Sequence, residues 1–287
     1  PARYFRDLDE QNLTTQASLT IPFQQWSGLR SSFKVGGTYS DKTREFRERH
    51  FEYHQDAINF NDVRGRPSLF WSEENLGIKE EESRDGFWRF GNYINDQTTV
   101  GDSYDGDQQI YAGFGMIDLQ VVQGFRVITG ARYEGTDIVT ASLDTTKDQG
   151  HLETNDWLPS LNMVYSINDR MNLRAAYGRT IARPTFREMA PYSSFAFVND
   201  FIFTGNPELE RTLVNNYDLR WEWFPRPGEI LAVSAFYKDF SNPIERVILN
   251  TNGEIKYQNV SDAQVAGLEF EISKELNQIS PWLEHLS

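Results

Sequence analysis

The sequence predicts an all-β protein, a transmembrane antiparallel β-barrel, and three observations carry that reading. Apolar and polar residues alternate with period two in run after run. Several runs extend about 11 to 13 residues, against roughly 5 to 6 for an average soluble strand, and short connections alternate with long ones. A strand crossing a bilayer needs only about 9 to 11 residues and can be polar on one face, so a mean hydropathy of −0.59 is compatible with it.

Taken in order, Leu13, Thr15, Ala17, Leu19, Ile21 and Phe23 alternate with Thr14, Gln16, Ser18 and Thr20, and Leu29 to Tyr39 repeats the pattern. Gln109 to Val122 is apolar on both parities. Phe125 to Tyr133, Trp157 to Ile167, Leu173 to Ile181, Tyr217 to Trp223 and Leu231 to Tyr237 alternate clearly, Ile244 to Tyr257 only vaguely, and Ala266 to Ile272 closes the series. Gln24 to Gly28, Gln123-Gly124, Asn168-Asp169 and Pro225 to Gly228 read as tight turns. The links between them are long: about residues 45–107, 140–155, 182–214 and 241–262. Outer-membrane barrels have this asymmetry, with short periplasmic turns and longer extracellular loops.

Two solvents explain the two faces. Tyr217, Leu219, Trp221 and Trp223 suit lipid or its interface, while Asn216, Asp218, Arg220 and Glu222 suit a wet lumen. The competing reading from pattern alone is a soluble two-layer β-sandwich with one solvated face, which gives no reason to place every long loop at one end.

Composition narrows the function. A net charge of −14 repels a phosphate backbone and argues against nucleic-acid binding. No cysteine is present, which excludes thiol catalysis and cysteine zinc sites. The longest charge-free run, Gln11 to Leu29, is broken by Gln, Thr, Ser and Pro22 and cannot be a membrane helix. Aromatics at 14% exceed what a small core needs and point to other apolar surroundings.

Thr180 to Pro191, TIARPTFREMAP, followed by FTGNPELERTLVNNYDL, is similar to the loop-and-strand segment of TonB-dependent outer-membrane receptors. Ile110 to Thr136, with its G-x-R-Y-E ending, resembles their mid-barrel hairpin, and Asn259 to Ala263 with Gly267-Leu268-Glu269 resembles a later signature. Glu210-Arg211-Thr212 departs from the family's usual Lys-Pro-Glu. The resemblance implies a 22-stranded barrel with an N-terminal plug, energised by the TonB complex. About ten or eleven strands are legible across residues 1–287, and no plug or TonB box. The expectation is therefore a fragment covering roughly the second half of such a barrel, located in the outer membrane of a Gram-negative bacterium. An open half-barrel exposes strand edges at several kcal/mol per unsatisfied group, so the remaining strands are expected elsewhere.

The resemblance also implies that extracellular loops contact the ligand. The first long link gathers Phe70, Trp71, Phe87, Trp88, Phe90 and Tyr93 with Arg64, Arg66, Arg84 and Arg89, and the second holds Arg183, Arg187, Tyr192, Phe195 and Phe197. Aromatic and guanidinium groups together suit capture of a bulky polar-aromatic ligand. Trp71, Arg84, Trp88, Arg89, Arg183, Arg187 and Tyr192 are the candidate ligand contacts. The alternative is that these aromatics form the loops' own small cores or sit at the lipid interface.

Other chemistry is weakly signalled. His50 and His54 are spaced i, i+4 with no third ligand in place; Asp102, Asp105 and Asp107 lack the ligand spacing of a calcium loop; and His151 near Asp148 and Glu153 has no serine motif. No cofactor or metal is expected. The resulting expectation is a receptor that imports a bulky scarce nutrient, such as a siderophore-type iron chelate, with outer-membrane lipid and the TonB complex as partners. The alternatives are a structural or adhesive outer-membrane β-barrel, a secreted carbohydrate-binding sandwich and, as the enzyme contrast, an outer-membrane protease.

Overall fold

The computed structural model describes residues 2–54, 66–80, 89–194, 201–249 and 253–274. Strands β1 (Ala2–Gln24) and β2 (Arg30–His54) are followed by a one-turn helix α1 (Pro67–Phe70) and by β3 (Ile78–Glu80), β4 (Arg89–Phe90) and β5 (Tyr93–Asp96). Four long strands come next: β6 (Tyr104–Val122), β7 (Phe125–Ser142), β8 (Gly150–Asn168) and β9 (Met171–Ala182). Helix α2 (Phe186–Met189), β10 (Ser193–Ser194) and β11 (Ile202–Thr204) precede β12 (Thr212–Trp223) and β13 (Ile230–Ser241). The described chain ends with β14 (Ile244–Ile248), β15 (Glu254–Asn259) and β16 (Asp262–Ser273).

Nine strands form one antiparallel wall in the order β1-β2-β6-β7-β8-β9-β12-β13-β16, with β5 extending the end of β2. At one end the reversals are tight, as at Gly124, whose φ of +83° is open to glycine at no steric cost. At the other end lie all the long links, and there β10, β11, β15 and β14 build a smaller sheet with a parallel β11–β15 pair. In the stretch from 244 to 257 where alternation is vague, β14 and β15 belong to that smaller sheet instead of crossing with the wall.

The strands outrun their sequence pattern. β1 and β2 have 23 and 25 residues, about twice the reach a bilayer requires, and β7 and β8 continue until only residues 143–149 join them. The excess lies on the long-link end, where both faces meet water and alternation stops marking the strand.

Register keeps the two faces apart. From β1 to β13 odd-numbered residues pair with odd-numbered ones: Leu19 with Val35, Tyr39 with Tyr111, Tyr133 with Trp157, Tyr177 with Tyr217. Between β13 and β16 the register switches parity, so Leu268, Phe270 and Ile272 continue the same face. That face is open: Trp157 is 64% and Ile272 75% exposed. It also carries a belt of rings, with Tyr133–Trp157, Tyr177–Tyr217 and Tyr217–Tyr237 centroids 5.2, 5.1 and 6.1 Å apart, contacts worth about 0.5–1.5 kcal/mol each.

Between the belt and the tight turns the charges lie on the opposite face, and they neutralise one another across strands. Arg126 forks onto Asp118, Arg174 and Arg220 share Glu222, and Arg220 reaches Glu271. The apolar core sits on this same side, where Phe46, Tyr104, Ile138 and Leu152 of the wall pack against Phe186, Met189, Tyr192 and Leu209 of the link between β9 and β12.

Candidate ligand-binding site

The β9–β12 link is folded onto the inner face by the residues that stood out in sequence. Arg183 donates from Nε to Thr136 Oγ1 at 3.0 Å and pairs with Glu134, which Arg132 also holds. Thr185 caps α2: its Oγ1 accepts the Glu188 N–H and Glu188 returns the bond to the Thr185 N–H at 2.8 Å. The helix thereby sinks Phe186 and Met189 into the core. At the far side of the link, Gly205 approaches the wall of α2 so closely that a Cβ there would lie 1.9 Å from the Ala190 carbonyl oxygen. Asn206 is buried, donates from Nδ2 to the Tyr257 carbonyl at 3.0 Å and accepts the Glu208 N–H. Arg211 then forks onto Asp156 of β8 at 2.9 and 2.8 Å.

Between this link and the tops of β1, β2 and β6 lies a cavity of about 270 Å³. Its aromatic side is a triad, Phe46, Tyr104 and Tyr192, with centroids 5.1–5.5 Å apart. Its cationic side is Arg6, Arg44 and Arg187. Arg6 pairs with Glu48, and Arg44 donates to Glu10 at 2.6 Å while lying over the Phe186 ring. Arg187 bonds Ser194 Oγ at 3.1 Å and lies over Phe203, and among the described residues it has no carboxylate partner. Three guanidiniums against two carboxylates leave the cavity net positive. Tyr192 donates its hydroxyl to Glu48 Oε2 at 3.1 Å, and burial first, then the Glu48 charge, push the phenol above the ordinary tyrosine range.

Of the residues expected from sequence, Arg187 and Tyr192 meet in this cavity. Arg183 borders a neighbouring, more apolar cavity of about 400 Å³ with Glu188, Val214, Phe240 and Ile244. Trp71 packs edge-on against Tyr53 and Phe70, both 5.1 Å away, so it serves the small core of its own loop. Arg84, Trp88, Phe195 and Phe197 lie outside the described residues, and of Arg89 only its place in β4 is described. Arg6, Arg44 and Tyr104, which also line the cavity, lie beyond the alternating runs of their strands; the alternate spacing of Arg44, Phe46 and Glu48 is the available signal.

The remaining motifs do not converge. His50 stacks on Tyr4 and His54 bonds Glu52, and on a strand residues four apart stand roughly 13 Å from each other. Asp102 closes a capping box with Thr99 while Asp105 pairs with Arg47. His151 faces Asp137 at 3.1 Å.

The family profile described as "TonB dependent receptor-like, beta-barrel" matches residues 1–286. The chain belongs to the TonB-dependent receptor β-barrel family. It is an outer-membrane protein of a Gram-negative bacterium, so the odd-numbered belt face of the TonB-dependent receptor wall meets lipid and the charged face the bore. Over 177 residues it is 25% identical to the ferrienterobactin receptor of Escherichia coli (strain K12), covering 57% of this chain and 24% of that protein. Among solved structures, the ferric enterobactin receptor from Pseudomonas aeruginosa in complex with enterobactin aligns at TM-score 0.56 and 17% identity, over 92% of this chain and 33% of that one. The ferric citrate transporter FecA aligns at TM-score 0.59 and 13% identity, over 99% and 35%. At such identities the structures speak to the fold alone. This receptor chain spans about a quarter to a third of the length of these relatives. The matched family is one of outer-membrane receptors, a different class from the protease alternative.

Proposed function

We propose that the chain is the ligand-facing wall of a receptor that imports a siderophore-type iron chelate into the periplasm, energised by the TonB complex through a plug that lies outside residues 1–287. The observation that carries this reading is the net-positive aromatic cavity at the extracellular end of the inner face, with the Arg187 guanidinium open to an anion. An anionic chelate with flat ligand arms would gain charge-assisted bonds from Arg187 and ring contact from Tyr104 and Tyr192. The relatives named for ferric enterobactin and ferric citrate are in keeping with this choice of cargo. No bond is made or broken; the wall's part is to offer a rigid site, since Phe46, Tyr104 and Leu152 fix the link that bears Arg187.

The test is uptake of radiolabelled iron, supplied as a panel of ferric chelates, by iron-starved cells lacking or carrying the full receptor. Accumulation that needs the receptor, discriminates among chelates and stops without TonB supports the proposal. Surface adhesion of cells with no chelate-dependent accumulation would replace it with the adhesive reading.

A further inference from the structure

Above its aromatic belt the outward face is mostly acidic, on β13 and β16 too, where Asp239 and Asp262 carry the outward parity. On β1 to β8 it is crowded with carboxylates, among them Asp9, Asp41, Asp107, Asp137 and Glu153, which share the outward parity and repel anionic headgroups. The outward Arg47 is spent there on Asp105 and Glu45. Arg179 of β9 is different. It lies one position above Gly178, where the pairing of β8 with β9 stops at Ser160, although β8 itself continues up to Gly150. Above that point β9 pairs with β12 alone, through Ala182, which leaves an unpaired notch in the β8–β9 ladder. Trp157, the 64% exposed ring of the belt, lies on the β8 side of the notch, and Tyr177 stands two residues below Arg179 on the same face.

Arg179 is held but not neutralised. Its Nε donates to Asn215 Oδ1 at 3.2 Å, and the Tyr177 hydroxyl donates to the same oxygen at 3.2 Å. No carboxylate among the described residues pairs with it, and the terminal nitrogens of its guanidinium fork have no protein acceptor there. A guanidinium at the interfacial height of a tyrosine and tryptophan belt is matched by a phosphate, which accepts a forked pair of bonds.

We propose that Arg179, oriented by Asn215 and bracketed by Trp157 and Tyr177, binds the phosphate of an outer-leaflet lipid headgroup, anchoring one annular lipid in the β8–β9 notch. The inference rests on the membrane placement of the wall and is independent of what the receptor transports.

The test uses the full receptor, purified and placed in nanodiscs containing either a phosphorylated outer-leaflet glycolipid or its dephosphorylated form, with bound lipid counted by native mass spectrometry. Wild type is expected to retain the phosphorylated lipid about fivefold better than Arg179→Gln, the difference one basic residue makes at an anionic surface. Arg49→Gln, on the same face of β2 but far above the belt, should change nothing. Equal retention of the dephosphorylated lipid by wild type overturns the proposal without recourse to any variant, as does retention of the phosphorylated lipid by Arg179→Gln as strong as by wild type.

Discussion

Tyr192 donates its hydroxyl to Glu48 across 3.1 Å, fastening the β9–β12 link to a strand 144 residues earlier in the chain. The bond closes the floor of the candidate cavity, because Tyr192 also meets Phe46 edge-on and lies tilted against Tyr104. Burial and the Glu48 charge raise the phenol's pKa, and a group of this kind contributes while it is protonated. Its contribution is therefore complete below about pH 10, the ordinary tyrosine value, and fades as pH climbs through the raised one. An absorbance titration at alkaline pH should resolve a late-ionising phenol that disappears in Tyr192→Phe. The same variant should cost about 1–2 kcal/mol, visible as faster amide exchange over residues 186–194, because Glu48 keeps Arg6 as a partner.

The wall was legible in sequence wherever lipid and water act on alternate residues, as from Leu13 to Phe23 and from Tyr217 to Trp223. It ceased to be legible from Ser40 to His54, where Asp41, Lys42, Arg44, Glu45 and Arg47 crowd both parities because that part of β2 has water on each side. The same mixing of parities hides Arg6 and Arg44, whereas Arg187 and Tyr192, which line the same cavity, stand in a motif-bearing link. Trp71 was equally visible but its fate was not, since an aromatic ring's partners, here Tyr53 and Phe70, are chosen by tertiary packing.

Gly205→Ala should dislodge the link. The new methyl would meet a backbone carbonyl, Ala190 O, which cannot rotate away, and overpacking of that kind costs about 3 kcal/mol. Gly178→Ala, whose methyl would meet nothing within 4 Å, should leave the wall intact. Limited proteolysis is the measurement: cleavage between residues 183 and 211 should rise for the first variant only.

Arg211 occupies the position where the sequence departs from its family's usual pattern, and the structure gives it a role. Its fork holds Asp156, a buried carboxylate with no second partner among the described residues. Arg211→Ala strands that charge and should cost about 3–5 kcal/mol, while adding Asp156→Asn to it should recover much of the loss. Thermal unfolding of single and double variants in detergent reads the coupling; additive losses would mean that the pair is merely solvated.

Leu219 and Asp218 are adjacent but belong to different solvents. Leu219 pairs with Ala175 and Ala235 on the outward face and is 49% exposed to what the membrane fills with hydrocarbon. Leu219→Arg should destabilise the folded receptor by about 2–4 kcal/mol in a bilayer, whereas Asp218→Arg, facing the bore, should stay within about 1 kcal/mol of wild type. Denaturant titration in lipid vesicles decides between them, and the reverse order would turn the wall inside out.

Arg187 is the cavity guanidinium whose loss should touch binding more than folding. Arg6 and Arg44 each neutralise a carboxylate, so removing Arg6 strands Glu48 and removing Arg44 leaves Glu10 to Lys42 alone, which confounds binding with stability. Among the described residues Arg187 bonds only the Ser194 hydroxyl and a ring face, interactions worth about 1 kcal/mol each at a partly exposed site. Arg187→Ala should therefore shift the melting temperature little, yet weaken a ferric chelate by about tenfold, the loss of one charge-assisted bond. Arg187→Lys should recover part of that loss because it restores the charge without the fork. Equilibrium binding to whole cells, with uptake measured in parallel, separates the two effects: affinity should fall while transport per bound ligand holds steady, since Arg187 sits on the β9–β12 link and, under the proposed function, outside the plug that TonB would move.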